Sequence, residues 1–326
     1  MNRTLRIGAT AALTAVLSVS APQLSAQTPA WPNKPIRMTV SSGAGGGLDL
    51  VARLTAAPLS DALGQNIVVD NRAGASGSIA AELAAQAAPD GYTLMVLSAS
   101  LVVYGVVNKT PYDLYRDFDA VSQIAASPYL LTVHPALPIQ SVKDLIAYAR
   151  ANPGKLNFAS TGPASLAHLS GELFAMVTAT KLVHIPYKGV GAALPDMLSG
   201  RTQISFLSGG SVSAQLRTQK LKALAVASPA RSKLTPELPT LIESGVPGFV
   251  VTQWHGLLSP RGTPRPIIDR LHAEIVKAVQ RPEMASRLAL DGTEPVASSP
   301  QEFSAFLRAE REQWARVAKA ANIRGH

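Results

Sequence analysis

Between Ile36 and Leu97 the chain repeats one pattern: a short apolar run, a turn rich in glycine and small residues, then apolar residues at helical spacing. The first run, Ile36 to Val40, opens into Ser41-Ser42-Gly43-Ala44-Gly45-Gly46-Gly47-Leu48-Asp49, with Leu50, Val51, Leu54 and Leu59 beyond. The second, Ile67 to Val69, opens into Asn71-Arg72-Ala73-Gly74-Ala75-Ser76-Gly77-Ser78, followed by Ile79, Leu83 and Ala87. After a turn at Pro89-Asp90-Gly91-Tyr92, the third run, Thr93 to Leu97, ends in Ser98-Ala99-Ser100. Strand–helix–strand–helix–strand predicts an α/β fold with a mainly parallel sheet. The glycine turns then fall at the carboxyl ends of neighbouring strands. A helix starting there aims unpaired N–H groups and a partial positive charge at whatever sits in front. The stretch is expected to form a small anion cradle built mostly from backbone.

The same unit returns in the second half. Leu156 to Ala159 reads as a strand, Ser160-Thr161-Gly162-Pro163-Ala164-Ser165 as its turn, and Leu166 to Phe174 as a helix. Leu182 to Ile185, Ile204 to Leu207 and Leu221 to Ala227 read as further strands, and Ala192 to Leu198 as a helix. Ser141 with Asp144 three residues on marks a helix start, close to a capping box. Val121 to Val133, broken by Pro128, is the candidate strand crossing between two domains. Residues 264–321 read as two amphipathic helices separated by residues 291–295.

A chain of 326 residues, 47% hydrophobic and 16% charged, is long enough for two domains with their own cores. No apolar run in its body reaches the length of a membrane span. Arg3 and Arg6 precede an apolar stretch from Ile7 to Val19 and then small residues up to Ala26, the layout of a secretory signal peptide. Cleavage is expected after Ala26, although Leu24 is less typical than Ala or Val at its position. Cysteine is absent, which suits a large exported domain without disulfides and removes any lipid-attachment cysteine. The formal charge of +9 falls to +7 without residues 1–26. Its Lys and Arg residues are scattered rather than arranged in a basic stripe, so the charge serves solubility and mild steering of anions, not nucleic-acid binding.

Several motifs stop short of chemistry. Gly43-Ala44-Gly45-Gly46-Gly47-Leu48 lacks the third glycine of G-x-G-x-x-G and no Walker lysine follows, which leaves an anion cradle or a plain tight turn ahead of a dinucleotide site. Around Ser76 the first glycine of G-x-S-x-G falls in place, but the second comes one residue early, so Ser76 reads as a donor rather than a nucleophile. The histidines, at positions 134, 168, 184, 255, 272 and 326, never recur at helical ligand spacing. No metal site and no cofactor are expected. His168 and His184 read as packing or hinge-region hydrogen bonders, Trp254 and Trp314 as core anchors, and Asp49 as a first-turn acid that stabilises its helix and fixes the loop. Lys188 suits either anion attraction at a cleft or plain solvation.

Taken together, Trp31-Pro32-Asn33-Lys34-Pro35-Ile36, Gly45-Gly46-Gly47-Leu48-Asp49, Asn71-Arg72-Ala73-Gly74-Ala75-Ser76-Gly77 and Pro89-Asp90-Gly91-Tyr92-Thr93-Leu94 resemble the Bug-type receptors of tripartite tricarboxylate transporters. The resemblance continues through Tyr115-Arg116-Asp117-Phe118, Ser160-Thr161-Gly162 with Ser165 and His168-Leu169, His184-Ile185-Pro186-Tyr187-Lys188-Gly189, Pro260-Arg261-Gly262-Thr263-Pro264 and the helix around Trp314. It implies a two-lobed clamshell of the type II periplasmic binding proteins, with lobe 1 from residues 27–126 and 247–326 and lobe 2 from residues 127–246. The implied protein is a periplasmic monomer, not an enzyme, that holds a small carboxylate-bearing solute and hands it to integral membrane transporter subunits. A solute sensor for signalling and an exported hydrolase are the alternatives. The implied ligand positions are Gly45, Gly46, Gly47, Ala75, Ser76, Gly77 and Ser78, then Ser98 and Ser100, and from the second lobe Ser160, Thr161 and Ser165. Many members carry Phe-Asp where this chain has Phe206-Leu207. Without that acid, a ligand ammonium group loses its partner, so a purely anionic or uncharged-tail carboxylate is expected over an amino acid.

Overall fold

The computed structural model describes Met1, residues 31–290 and residues 292–324; the predicted signal peptide beyond Met1, and Asp291, lie outside the described residues. The body from Trp31 onward forms a single compact unit. Its first half runs β1 (Ile36–Val40), α1 (Gly47–Leu63), β2 (Ile67–Asn71), α2 (Ser78–Ala85), β3 (Thr93–Ser98), α3 (Ala99–Val107) and β4 (Phe118–Val133). The second half continues with α4 (Val142–Ala151), β5 (Asn157–Ser160), α5 (Leu166–Thr178), β6 (Val183–Pro186), α6 (Val190–Leu198), β7 (Ile204–Ser208), α7 (Gly209–Arg217) and β8 (Lys222–Val226). The chain then returns through β9 (Thr252–Pro260), α8 (Arg265–Val279), α9 (Pro282–Leu290), β10 (Glu294–Pro295) and α10 (Pro300–Ala320).

The strands form one curled, mixed sheet in the order β2-β1-β3-β9-β4-β7-β5-β6, with β8 and β10 also paired to β4. The strand–helix units make its two parallel wings: β1 lies parallel to β2 and β3, and β5 lies parallel to β6 and β7. Between them β9 and β4 run antiparallel to their neighbours. The junction is β4 itself. Residues from Phe118 to Pro128 pair with β9, and from Tyr129 to Val133 the same strand pairs with β7, and from Leu130 with β8. Pro128, which has no N–H to donate, sits where the pairing changes partner.

Packing follows the apolar patterns. Val51, Leu59 and Leu63 on one face of α1 join Leu271 and Ile275 of α8 and the sheet residues Met38, Leu94 and Leu257 in one core cluster. A second cluster gathers Phe158, Phe174, Phe206 and Phe249 with Trp254, Phe303 and Trp314. Burial of such side chains contributes roughly 1.5–3 kcal/mol each. Trp254 and Trp314 are both fully buried, and their ring N–H groups share one acceptor, Oε2 of Glu310, at 2.9 and 3.1 Å. Through α10, which touches α3, α5 and β4, both wings of the sheet share one helix.

Three elements differ from the sequence reading. The third strand leads at once into α3, where only a turn was expected, because Ala99, Leu101, Val102 and Val103 are all buried and leave no polar face to betray a helix. The segment after Leu207 is likewise helical, as α7. The tail holds three helices rather than two: α8 closes at Gln280 and Pro282, with no N–H to donate, takes the first position of α9, where that donor is not needed. Among the described residues no helix is long and apolar enough to cross a membrane.

Candidate functional site

A cavity of about 540 Å³ opens between the wings, where the glycine turns and the central strands meet. Four helices bring their N-terminal ends to it. Gly46 and Gly47 at the head of α1, Ser98 ahead of α3, Val190 at the start of α6 and Ser208 ahead of α7 all line its wall. None of these four helices has a side chain hydrogen-bonded over its N-cap position. By contrast, Ser141, Ser165 and Ser299 cap α4, α5 and α10 by accepting a backbone N–H. The N-terminal N–H groups of a helix need a partner from outside its ladder. Where side chains fill that role a helix end is finished; at the cavity it is open to an oxygen-bearing solute.

The α1 turn is held in shape from behind. Asp49 is buried, and its Oδ2 accepts the Gly45 N–H at 2.9 Å and the Arg53 Nε–H at 3.0 Å. Its Oδ1 accepts from Asn71 Nδ2 at 3.0 Å, and the same amide reaches the Ser42 carbonyl at 3.2 Å. Burial works against this carboxylate's charge, but the hydrogen bonds from Arg53, Gly45 and Asn71 outweigh it and hold its pKa below the usual range. Gly45 has φ +84°, a left-handed conformation that glycine adopts without a Cβ penalty.

The second glycine turn abuts the first. A Cβ added to Gly77 would stand 2.5 Å from Cβ of Ser41, so the bare glycine lets the turn lie directly on the strand end. Ala75, Ser76, Gly77 and Ser78 are not among the residues lining the cavity, and neither is Gly45. Ser76, at φ 52°, is exposed, and Ser78 is buried in the first turn of α2. Ser100 lies half-buried within α3, also away from the lining, whereas Gly46, Gly47 and Ser98 line it.

Across the cavity the second wing supplies Thr161. Its neighbours in the same turn are committed elsewhere. Ser160 is buried, with its Oγ 2.6 Å from Nε2 of His184 and donating to the Gly162 carbonyl. Ser165 accepts the His168 N–H as the α5 cap. His184 in turn stacks on His168 with ring centroids 3.6 Å apart, and on Phe158 at 5.0 Å. Burial, with a smaller contribution from His168, pushes the His184 imidazole down to about 4. This hydroxyl–imidazole pair sits behind the wall and outside the cavity lining, so it braces the turn and offers no nucleophile to a bound molecule.

The remaining wall comes largely from residues that the sequence reading did not place at the site. Ser127 and Tyr129 stand at the junction of β4, Leu207 and Ser208 end β7, and Gln253 and His255 alternate along β9. Ser208 had a signal in the sequence, since an apolar run followed by Ser-Gly-Gly repeats the turn pattern read elsewhere. Gln253 and His255 had none; only the pairing of β9 with β3 and β4 carries them here. Among the described residues no Asp, Glu, Lys or Arg lines the cavity, and Lys188 is exposed outside it. The Phe206-Leu207 departure is visible: Phe206 is packed against Phe174 and Phe249, and Leu207 lines the wall in place of an acid.

A curled α/β sheet in two wings, around a cavity ringed by open helix ends, defines a periplasmic binding protein of the two-lobed class. The sequence matches the tripartite tricarboxylate transporter family receptor over residues 51–323, and the chain belongs to that family. Protein BugT of Bordetella pertussis is 36% identical over 322 residues, covering 98% of each chain. Among solved structures, one from R. palustris described with adipate is 35% identical, with a TM-score of 0.74 over 90% of this chain and 99% of that one. MatC from Rhodopseudomonas palustris with bound malate is 30% identical, with a TM-score of 0.70 over 88% of this chain and 99% of its own. The protein is a solute-binding receptor and not an enzyme.

Proposed function

We propose that the protein is exported by its N-terminal signal peptide, cleaved after Ala26, and captures a small carboxylate in the periplasm for integral membrane transporter subunits. The observation that carries this reading is the set of four helix N-termini, none with a side-chain cap, on one cavity that no charged side chain lines among the described residues. Such a wall binds an anion through neutral donors and excludes a ligand that needs a countercharge for an ammonium group. The carboxylate rests on the α1 turn at Gly46 and Gly47, which Gly45 holds in shape through its bond to Asp49, with Ser98 beside it. Thr161 faces it from the other wing. The adjacent turn from Ala75 to Ser78, together with Ser100, Ser160 and Ser165, shapes the two sides of the seat.

Lobe 1 comprises residues 27–126 and 247–326 and lobe 2 residues 127–246. The change of partner along β4 at Pro128 and Tyr129 supports that division, because a strand shared by two wings can bend where its ladder is interrupted. Closure brings the α6 and α7 ends onto a solute already seated on α1, excluding water and strengthening each hydrogen bond. The neighbours described with adipate and malate support a carboxylate-bearing solute.

A thermal-shift screen of the mature protein against mono-, di- and tricarboxylates, aromatic acids and amino acids tests the reading. A melting shift confined to carboxylates without an ammonium group is the expected result. A shift with glutamate or aspartate alone would overturn the ligand class, and none with any carboxylate would overturn the function.

A further inference from the structure

The cavity wall holds one buried polar group whose hydrogen-bonding capacity the protein leaves open. His255 is 4% exposed, it lines the cavity, and its Nδ1 has no hydrogen-bond partner among the described residues. Strand geometry explains its direction. Side chains alternate along β9, and Trp254 between Gln253 and His255 faces the α10 side, edge-on to Phe303 and Phe306 at 5.6 Å. Gly256 faces that way too, since a Cβ there would meet Phe303 at 2.2 Å. Gln253 and His255 therefore share the opposite face, where both line the cavity. Ser98, the register partner of His255 on β3, lines the same stretch of wall.

Buried polar atoms in native proteins are nearly always paired, so an open one at a ligand cavity marks a bond that the ligand completes. Burial alone pushes the His255 imidazole down to about 4, so at neutral pH the ring is uncharged and carries one N–H donor and one bare acceptor. Either nitrogen suits an oxygen function and neither suits a methyl group. The position matters as much as the chemistry. In the sheet order β1-β3-β9, β9 lies two strands from β1, whose end leads into the α1 turn. At about 4.8 Å per strand, that separates His255 from the turn by roughly 10 Å. A solute with oxygen functions at its two ends can reach both.

We propose that His255 is the specificity residue of this cavity, hydrogen-bonding a second oxygen-bearing group of the solute at the end remote from the carboxylate on the α1 turn. The inference rests on the carboxylate reading above and adds which residue recognises the second oxygen function of the solute.

Matched pairs test it: succinate with butyrate, adipate with hexanoate, and 4-hydroxybenzoate with benzoate, titrated calorimetrically into the wild-type protein, His255→Phe and His255→Gln. In the wild type the better-bound pair favours its bifunctional member by at least about tenfold, as a site built to pair an oxygen rejects the analogue lacking it. His255→Phe reduces that ratio to within about threefold, while His255→Gln, which retains a donor and an acceptor, keeps most of it. Because a ratio is compared, a general loss of affinity in a loosened variant does not imitate the effect. Should His255→Phe not fold, the wild type still answers: with 15N-labelled histidine, the ring resonances of His255 shift on saturation with the bifunctional acid and not with its monoacid partner. Equal affinities within every wild-type pair, or an unchanged ratio in His255→Phe, would overturn the assignment while leaving the carboxylate reading intact. Failure of every acid to bind the wild type would overturn that reading and this inference with it.

Discussion

Asp49 accepts the backbone N–H of Gly45 at 2.9 Å, so an acid one turn inside α1 fixes the loop in front of its own helix. The same carboxylate reaches Asn71 at the end of β2, tying the first glycine turn to the start of the second. Asp49→Ala frees both connections while leaving the α1 core face untouched. Ligand affinity is expected to fall by about tenfold, or about 1.4 kcal/mol, with circular dichroism unchanged. Calorimetric titration with the acid giving the largest melting shift checks it; undiminished affinity would separate the loop from the seat.

Leu207 lines the wall with an uncharged side chain. Leu207→Asp puts a negative charge beside a bound anion in a partly dehydrated cavity, where like charges repel strongly. Affinity for a diacid is expected to drop at least about tenfold, and binding of an amino acid such as aspartate to appear or improve. The two affinities measured side by side decide it.

Glu310 joins the two buried tryptophans, accepting from Trp254 at 2.9 Å and Trp314 at 3.1 Å. Burial raises its pKa, against the pull of these two donors. Glu310→Gln keeps a carbonyl acceptor and is expected to cost little. Glu310→Leu strands two buried N–H groups, a loss of roughly 2–5 kcal/mol by the usual cost of unpaired buried donors. Denaturant midpoints of the two variants compare them directly.

Acid should weaken the fold in a defined window. Burial lowers His255 from 6.5 to about 4, and burial with the adjacent His168 lowers His184 over the same range. Both folded values lie below the unfolded one, so the unfolded chain binds more protons in between. These two groups leave stability undiminished above pH 6.5, subtract from it as pH falls towards 4, and subtract no more below that. Melting temperature against pH should show this slope, and His255→Phe should make it shallower.

Gly171 on α5 sits against Phe158 of β5, where an added Cβ would meet the ring at 2.2 Å. Gly171→Ala therefore forces the helix off the sheet, and a destabilisation of about 1–3 kcal/mol is expected from overpacking. Since Phe158 also stacks on His184 behind the Thr161 turn, the variant should lose ligand affinity along with melting temperature.

Local sequence determined much of this protein. Short apolar runs gave β1, β2, β3, β5 and β7, glycine and proline gave the turns between them, and Ser141 with Asp144 gave the start of α4. The anion-seeking turn at Gly45, Gly46 and Gly47 was legible because backbone donors at a helix start depend only on chain order and on residues that permit the turn. The helix α3 was not, since periodicity vanishes when every face is apolar. Nor was the far wall of the cavity. Gln253 and His255 are separated from Ser98 by more than 150 residues, and nothing local distinguishes them from any other strand residue. Their place was decided by the antiparallel pairing of β9 with β3 and β4. The change of partner along β4 decided that Tyr129 and Ser208 would face them. Backbone chemistry is written locally along the chain, whereas a cavity exists only where distant strands are brought into register, which the burial of two shared cores enforces.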